Sequence, residues 1–239
     1  MNYNQLNFDA MTREQGLSMS AAFPVLMRKV YVWMTLALLI TGATAYGVAT
    51  SPGIQMALFS NQVLFWGLII AEFALVIGIS AAINRLSLTT ATLMFILYSV
   101  INGAVLSSIF LIYTMSSIAS VFFITAGTFG VMALIGYTTK KDLTSMGKIL
   151  LMALIGIIIA TTVNIFLKSS GLQMIVSYLG VLVFVGLTAY DSQKIKQMLQ
   201  MAPDTSEASQ KLALLGALTL YLDFINLFIY LLRIFGRRE

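Results

Sequence analysis

The stretch LTLYLDFINLFIYLLRIF, Leu218 to Phe235, carries an aspartate, Asp223, and an arginine, Arg233, inside a run apolar enough to cross a membrane. A bare carboxylate at the centre of a bilayer costs about 3 kcal/mol on insertion scales, so such a group is neutral, paired or facing water. Six of the chain's nine acidic residues, Asp9, Glu14, Asp142, Asp204, Glu207 and Glu239, fall in polar breaks or tails, where solvation accounts for them. Glu72, Asp191 and Asp223 do not: each lies in or at the edge of an apolar run, as do the basic residues Arg85 and Arg233. Two carboxyl groups brought to one site cannot both ionise cheaply, so they share a proton and titrate as a unit. That is chemistry suited to a gate. A single carboxylate with one arginine suits a brace that fixes helix register.

Other chemistries are excluded by what is missing. The 239 residues contain no cysteine and no histidine. Disulfides, thiol catalysis, zinc centres of the usual ligand set and Ser-His or Cys-His nucleophile systems are therefore ruled out together. So is the side chain that ordinarily titrates near neutrality, leaving carboxylates to carry any response to pH.

The elements that position these groups follow from composition. Hydrophobic residues make up 59% of the chain and charged residues 10%, against about 25% charged in a soluble domain. The chain is therefore an all-α polytopic membrane protein. Runs of about 20 apolar residues suffice to cross the bilayer core. They occur at 30–50, 57–82, 88–112, 115–138, 147–167, 172–192 and 210–234, which gives seven transmembrane helices after a polar segment at 1–29. The expected organisation is a cytoplasmic N-terminal segment, 1–29, and a single membrane domain, 30–239. Residues 1–29 lack the basic, then apolar, then small-residue pattern of a cleavable signal, so the first helix is expected to serve as its own insertion signal.

The net charge of +5 is dispersed at helix ends rather than clustered for nucleic acid. Arg28, Lys29, Arg85, Lys140, Lys141, Lys148, Lys194, Lys196 and Lys211 all fall on one side, which places the N-terminus in the cytoplasm. A full seventh span then leaves Arg237 and Arg238 outside, against the same bias. Small residues at helical spacing, among them Gly42, Gly47, Gly103, Gly127, Gly130 and Gly136, are expected at close helix contacts. Asn102, Asn164 and Asn226 are expected to hydrogen-bond between helices.

Depth along the helices sorts the charges. Thirteen residues separate Glu72 from Arg85, about 20 Å at 1.5 Å per residue, and ten separate Asp223 from Arg233, about 15 Å. Because the second and seventh helices run in opposite directions, Glu72 and Arg233 can share one depth. Arg85, Asp191 and Asp223 can share another, nearer the cytoplasm.

Two motifs then carry a resemblance. GLTAYDSQKIKQM (Gly186–Met198) and ALTLYLDFINLFIYLLRIFG (Ala217–Gly236) resemble the signature of the Bax inhibitor family, and YTTKKDLTSMGK (Tyr137–Lys148) is similar to its loop between the fourth and fifth helices. The resemblance implies a central seventh helix wrapped by the other six, and a pH-sensitive calcium leak. It implies that Asp191 and Asp223 form the gating dyad and bind calcium weakly, that Arg85 engages the dyad, and that Glu72 pairs with Arg233. Calcium and protons would be the transported or sensed ions, and the bacterial inner membrane the expected location.

Two other readings compete. One is a non-conducting regulator bound to a membrane protease or a stress-response partner. The other is an intramembrane aspartyl protease, for which AYD at Ala189–Asp191 fits half of the expected pair. Asp223, in YLDFIN, lacks the Gly-x-Gly that should precede the second aspartate, and no Pro-Ala-Leu stretch occurs. No enzymatic activity is expected.

Overall fold

A computed structural model describes residues 3–238, with side-chain surroundings from residue 21 onward. The order is α1 (Tyr3–Ala49), α2 (Pro52–Ser60), α3 (Gln62–Ala82), α4 (Leu88–Leu106) with a 3-10 turn at Ser107–Leu111, α5 (Met115–Thr138), α6 (Thr144–Leu167), α7 (Ser170–Gln200) and α8 (Glu207–Phe235). Among the described residues seven helical segments are long and apolar enough to cross a membrane. The charges expected at Asp9 and Glu14 lie outside the residues whose side chains are described.

Local chemistry sets the boundaries. Pro52 opens α2, its missing N–H costing nothing in a first turn. Asn61 then closes α2 and caps α3, its side chain accepting from the amides of Val63 and Leu64 at 3.1 Å. The second apolar run, expected to be continuous from residue 57, is thus split by one asparagine that can satisfy a new helix start. Ser87 caps α4 through Thr90 N at 3.1 Å, Thr114 caps α5 and Ser169 caps α7. Asp142 accepts from both the hydroxyl and the amide of Thr144, at 2.6 and 2.9 Å, and these bonds hold its carboxyl below the usual carboxylate range.

The α6–α7 turn passes through Lys168, whose φ of 51° is left-handed. The Asn164 side chain accepts from Ser169 N across it, at 3.0 Å. Asn164 therefore closes its own turn rather than linking helices, and Asn226 likewise donates to Leu222 O within α8. Beyond residue 192 the expected polar break is mostly helix. SQKIKQMLQ holds no Gly or Pro, and its Lys, Gln, Met and Leu are good helix formers, so α7 runs on to Gln200 and stops short of Pro203.

α8 is the axis of the bundle. Two-thirds of its most apolar window is buried inside the protein, against 6% for α3 and for α6. It packs directly on α1, α4, α5 and α7, while α3 lies chiefly on α4 and α6 on α7. The ring around the central helix is therefore closest on four sides, with α3 and α6 further out.

Two glycines explain how closely the inner helices approach. A Cβ on Gly103 would stand 2.5 Å from Thr41 O and 2.8 Å from Thr44 Cβ, so α4 can seat on α1 only without one. Gly136 of α5 meets the backbone of Ala189 on α7, where an added Cβ would collide with the carbonyl oxygen and lie 2.7 Å from the carbonyl carbon. Gly42, Gly47, Gly127 and Gly130 face open space instead, so helical spacing overestimated how many small residues mark contacts.

Candidate functional site

Asp191 and Asp223 meet across the seam between α7 and α8, their side chains within hydrogen-bonding reach of one another. Asp223 is 4% exposed, and its Oδ2 has no hydrogen-bond partner. Asp191 is half-buried. A carboxylate has no hydrogen to donate, so a bond between the two requires one shared proton. Leaving one buried polar atom without a partner costs about 1–3 kcal/mol, a cost that a carboxyl proton or a cation would relieve.

The seam is held from the α5 side. Ser192, next to Asp191, donates its hydroxyl to Ala133 O at 2.9 Å, and Gly136 allows the backbone of Ala189 to close up on α5. A cavity of about 640 Å³ opens between α1 and α5, lined by Arg28, Tyr31, Ala133 and Tyr137 among others. Its wall at Ala133 brings it to the residue that receives the Ser192 hydroxyl, one position from Asp191. Toward the other end α8 continues as Phe224 and Phe228. Phe224 packs edge-on against Phe122 and Phe129, with ring centroids at 5.5 and 5.4 Å, and Phe228 lies 6.3 Å from Phe122. A roomy approach thus stands on one side of the carboxyl pair and an aromatic plug on the other.

The structure does not bring Arg85 to the pair. It is exposed just beyond α3, in a loop fastened to α8: Lys211 Nζ donates to Leu86 O at 3.0 Å, and the Glu207 carboxylate accepts from Leu88 N at 2.7 Å. The cation whose charge bears on Asp191 is Lys194, one turn along the same helix. Shared depth allowed Arg85 but could not fix its azimuth, whereas the i, i+3 spacing of Asp191 and Lys194 was available from sequence. Sequence reasoning also missed Gln193. Its side chain donates to Lys141 O at 2.8 Å and accepts from Leu143 N at 2.9 Å, tying the α5–α6 loop to α7 beside the pair. Nothing in the residue types signalled that tie.

Glu72 and Arg233 are likewise not brought together. Asn102 donates to Glu72 Oε1 at 2.9 Å, Tyr221 donates to Asn102 Oδ1 at 3.1 Å, and the Tyr221 and Thr41 hydroxyls lie 2.7 Å apart. Thr41 also reaches Ser99 O at 2.9 Å. One chain of side chains thus links α3, α4, α8 and α1, and it replaces the expected ion-pair brace. It borders a cavity of about 290 Å³ between α3, α4 and α8. Arg233 instead lies over the Tyr230 ring, 5.4 Å from its centroid, at the far end of α8.

Tyr221 is the pivot of that chain and is fully buried. Tyr221→Phe keeps the ring contacts with Phe95 and Tyr98 but strands Asn102 Oδ1, and should cost about 1–3 kcal/mol. Thermal unfolding of the purified chain in detergent checks this, and an unchanged midpoint would show that the chain of hydrogen bonds contributes nothing.

Among the described residues no group of three or more acidic residues is placed to hold a metal ion. The pair could supply two of the six to eight oxygens calcium takes, leaving water or carbonyls to supply the rest.

Together these features define a polytopic α-helical membrane protein whose central helix carries a buried carboxyl group in contact with one on its neighbour. The chain belongs to the Bax inhibitor family: the family model described as "Inhibitor of apoptosis-promoting Bax1" matches residues 24–239. It is 54% identical over 221 residues to the "Inner membrane protein YbhL" of Escherichia coli K12, covering 92% of this chain and 94% of that one. It is also 50% identical over 213 residues to an uncharacterized protein of Borreliella burgdorferi, covering 89% and 92%. A third relative, from Rickettsia prowazekii, is 46% identical over 215 residues, covering 89% of each.

Proposed function

We propose that this protein is a pH-sensitive calcium leak channel of a bacterial inner membrane, with its N-terminus in the cytoplasm and the Asp191–Asp223 pair as its gate. The observation that carries the reading is the contact of two carboxyl groups inside the seam between α7 and α8, one of them with an oxygen that no protein donor reaches. In the closed form one proton joins the two and ties the helices together. Losing it leaves two like charges. At about 4 Å and an effective dielectric of about 20 these repel by roughly 4 kcal/mol, about three decades in an equilibrium between helix arrangements. Raising pH therefore opens the path and lowering it closes the path.

The freed carboxylates then hold calcium weakly in transit, as a leak requires, since a tight site would retain the ion. Lys194 stands beside Asp191 before opening, and Arg85 is the arginine proposed to engage the charged pair after it. The cavity between α1 and α5 serves as the approach, and the aromatic cluster of Phe122, Phe129, Phe224 and Phe228 keeps the far side dry until the helices part. In this reading the pair acts as a gate rather than a catalyst, in keeping with Asp223 following no Gly-x-Gly. Calcium flux into dye-loaded proteoliposomes tests the reading. The purified chain should conduct more at about pH 8 than at about pH 6, in the order set by deprotonation. No flux above protein-free vesicles at either pH, with a stoichiometric protein partner retained on purification, would replace the leak with a regulatory role.

A further inference from the structure

The end of the bundle opposite the carboxyl pair carries Lys168, Arg233, Arg237 and Arg238, and no described acidic residue lies in its loops; Glu239, the last residue, lies outside the described ones. The expected partner of Arg233, Glu72, is engaged by Asn102 instead. Among the described residues Arg233 has no carboxylate partner, and it is half-buried near the end of α8. Its guanidinium lies over the Tyr230 ring, which stacks on Phe184 at 5.8 Å and packs against Gly180, where an added Cβ would stand 2.7 Å from the ring. A guanidinium held by its face keeps its N–H edges for a planar or tetrahedral oxyanion.

Those edges have a place to receive one. A cavity of about 360 Å³ is lined by Arg233 and Arg238, with Ser170, Gln173 and Ser177 from the start of α7. Ser177 is buried and donates to Gln173 O at 2.8 Å, so it is already committed, whereas the exposed Ser170 and Gln173 side chains line the cavity as further donors. Arg238 is not a loose tail residue. Its backbone pairs with Tyr113, while the neighbouring Arg237 accepts from Thr114 N at 3.1 Å and donates from its own amide to Ser117 Oγ at 3.0 Å. The two arginines that line the cavity thus come from different elements, α8 and the C-terminal segment whose backbone is strapped to residues 113–117.

We propose that this cavity is a binding site for the phosphate group of an anionic phospholipid. Two guanidinium forks and neutral donors match a phosphodiester, the half-apolar wall takes in Met174 and Ile234 beside them, and its position at a helix end is headgroup depth. The site also gives the terminal arginines a reason to stand where the charge bias of the loops disfavours them.

Native mass spectrometry of the full chain in neutral detergent, titrated with short-chain phosphatidylglycerol, phosphatidylcholine and inorganic phosphate, tests the proposal. The parent should bind phosphatidylglycerol at least about tenfold tighter than phosphatidylcholine, and Arg233→Gln with Arg238→Gln should remove about that preference. Lys168→Gln, which deletes an exposed charge at the same edge but outside the cavity, should keep it. Equal loss in Lys168→Gln would reduce the effect to general surface charge and overturn the site. Inorganic phosphate binding as tightly as the lipid would overturn the lipid assignment. If the double glutamine variant does not fold, Arg233→Lys with Arg238→Lys keeps both charges but loses the forks. It should bind several-fold more weakly, and unchanged affinity would overturn the proposal. None of these outcomes depends on calcium flux, so the leak reading stands or falls separately.

Discussion

Asp223→Asn should flatten the pH profile of calcium flux across proteoliposomes, and Asp191→Asn should do the same. An amide in either position can donate to the remaining carboxylate at every pH, so the seam between α7 and α8 stays tied whether or not the partner is charged. The parent gate changes by roughly three decades in equilibrium on losing its proton; the variants have no such step. Flux at about pH 8 should therefore fall to near the parent's low-pH level, about tenfold or more below the parent at the same pH. Asp223 is the more telling of the two, because its burial removes water as an alternative partner. A parent-like pH profile in both variants would place the gate elsewhere.

Gly136→Ala should be the most damaging single methyl group in the bundle. The new Cβ meets backbone, the carbonyl of Ala189, which cannot rotate away as a side-chain end could. α5 and α7 must separate, losing the Ser192 bond to Ala133 O three residues from the collision on either helix. Overpacking of this kind costs about 1–3 kcal/mol, and for a chain of this size each kcal/mol lowers the unfolding midpoint by about 2–4 °C. Gly127→Ala, on the same helix but facing open space, should keep the midpoint or raise it slightly, since alanine favours the helix. Comparing the two by thermal unfolding separates a steric seam from the general helix-propensity gain that alanine brings. Equal midpoints would mean the α5–α7 contact is looser than its geometry indicates.

Helix count was legible because length and apolarity are directly imposed by the bilayer. Residues outside it were less so. SQKIKQMLQ is polar and reads as a loop, yet polarity only says that a segment meets water, and its residue types continue α7 to Gln200. The break at Asn61 carries no charge, so only its capping geometry reveals it.

The site was legible in one dimension. Residue counting put Asp191 and Asp223 at one height, and they are in contact. The same counting put Glu72 level with Arg233, but Glu72 stands beside Leu222, Asn226 and Ile229, a turn or more short of Arg233, and height says nothing of the direction in which a side chain points. Glu72 faces Asn102 on α4, whereas Arg233 faces the start of α7. Tyr221 and Thr41 gave no signal at all, because a buried tyrosine in an apolar helix is ordinary until its hydroxyl is seen to have partners. Family membership carried the calcium expectation, which the residues alone could not supply.

The central claim is that one proton joins two carboxyl groups and that losing it parts two helices. The most direct measurement is the separation of the Asp191 and Asp223 carboxyl groups in structures of the full chain determined on either side of the flux midpoint. The account predicts a hydrogen-bonded pair at the lower pH, where the protein does not conduct, and separated carboxylates with a widened α7–α8 seam at the higher pH. An unchanged hydrogen-bonded pair at a pH where calcium flows would contradict it.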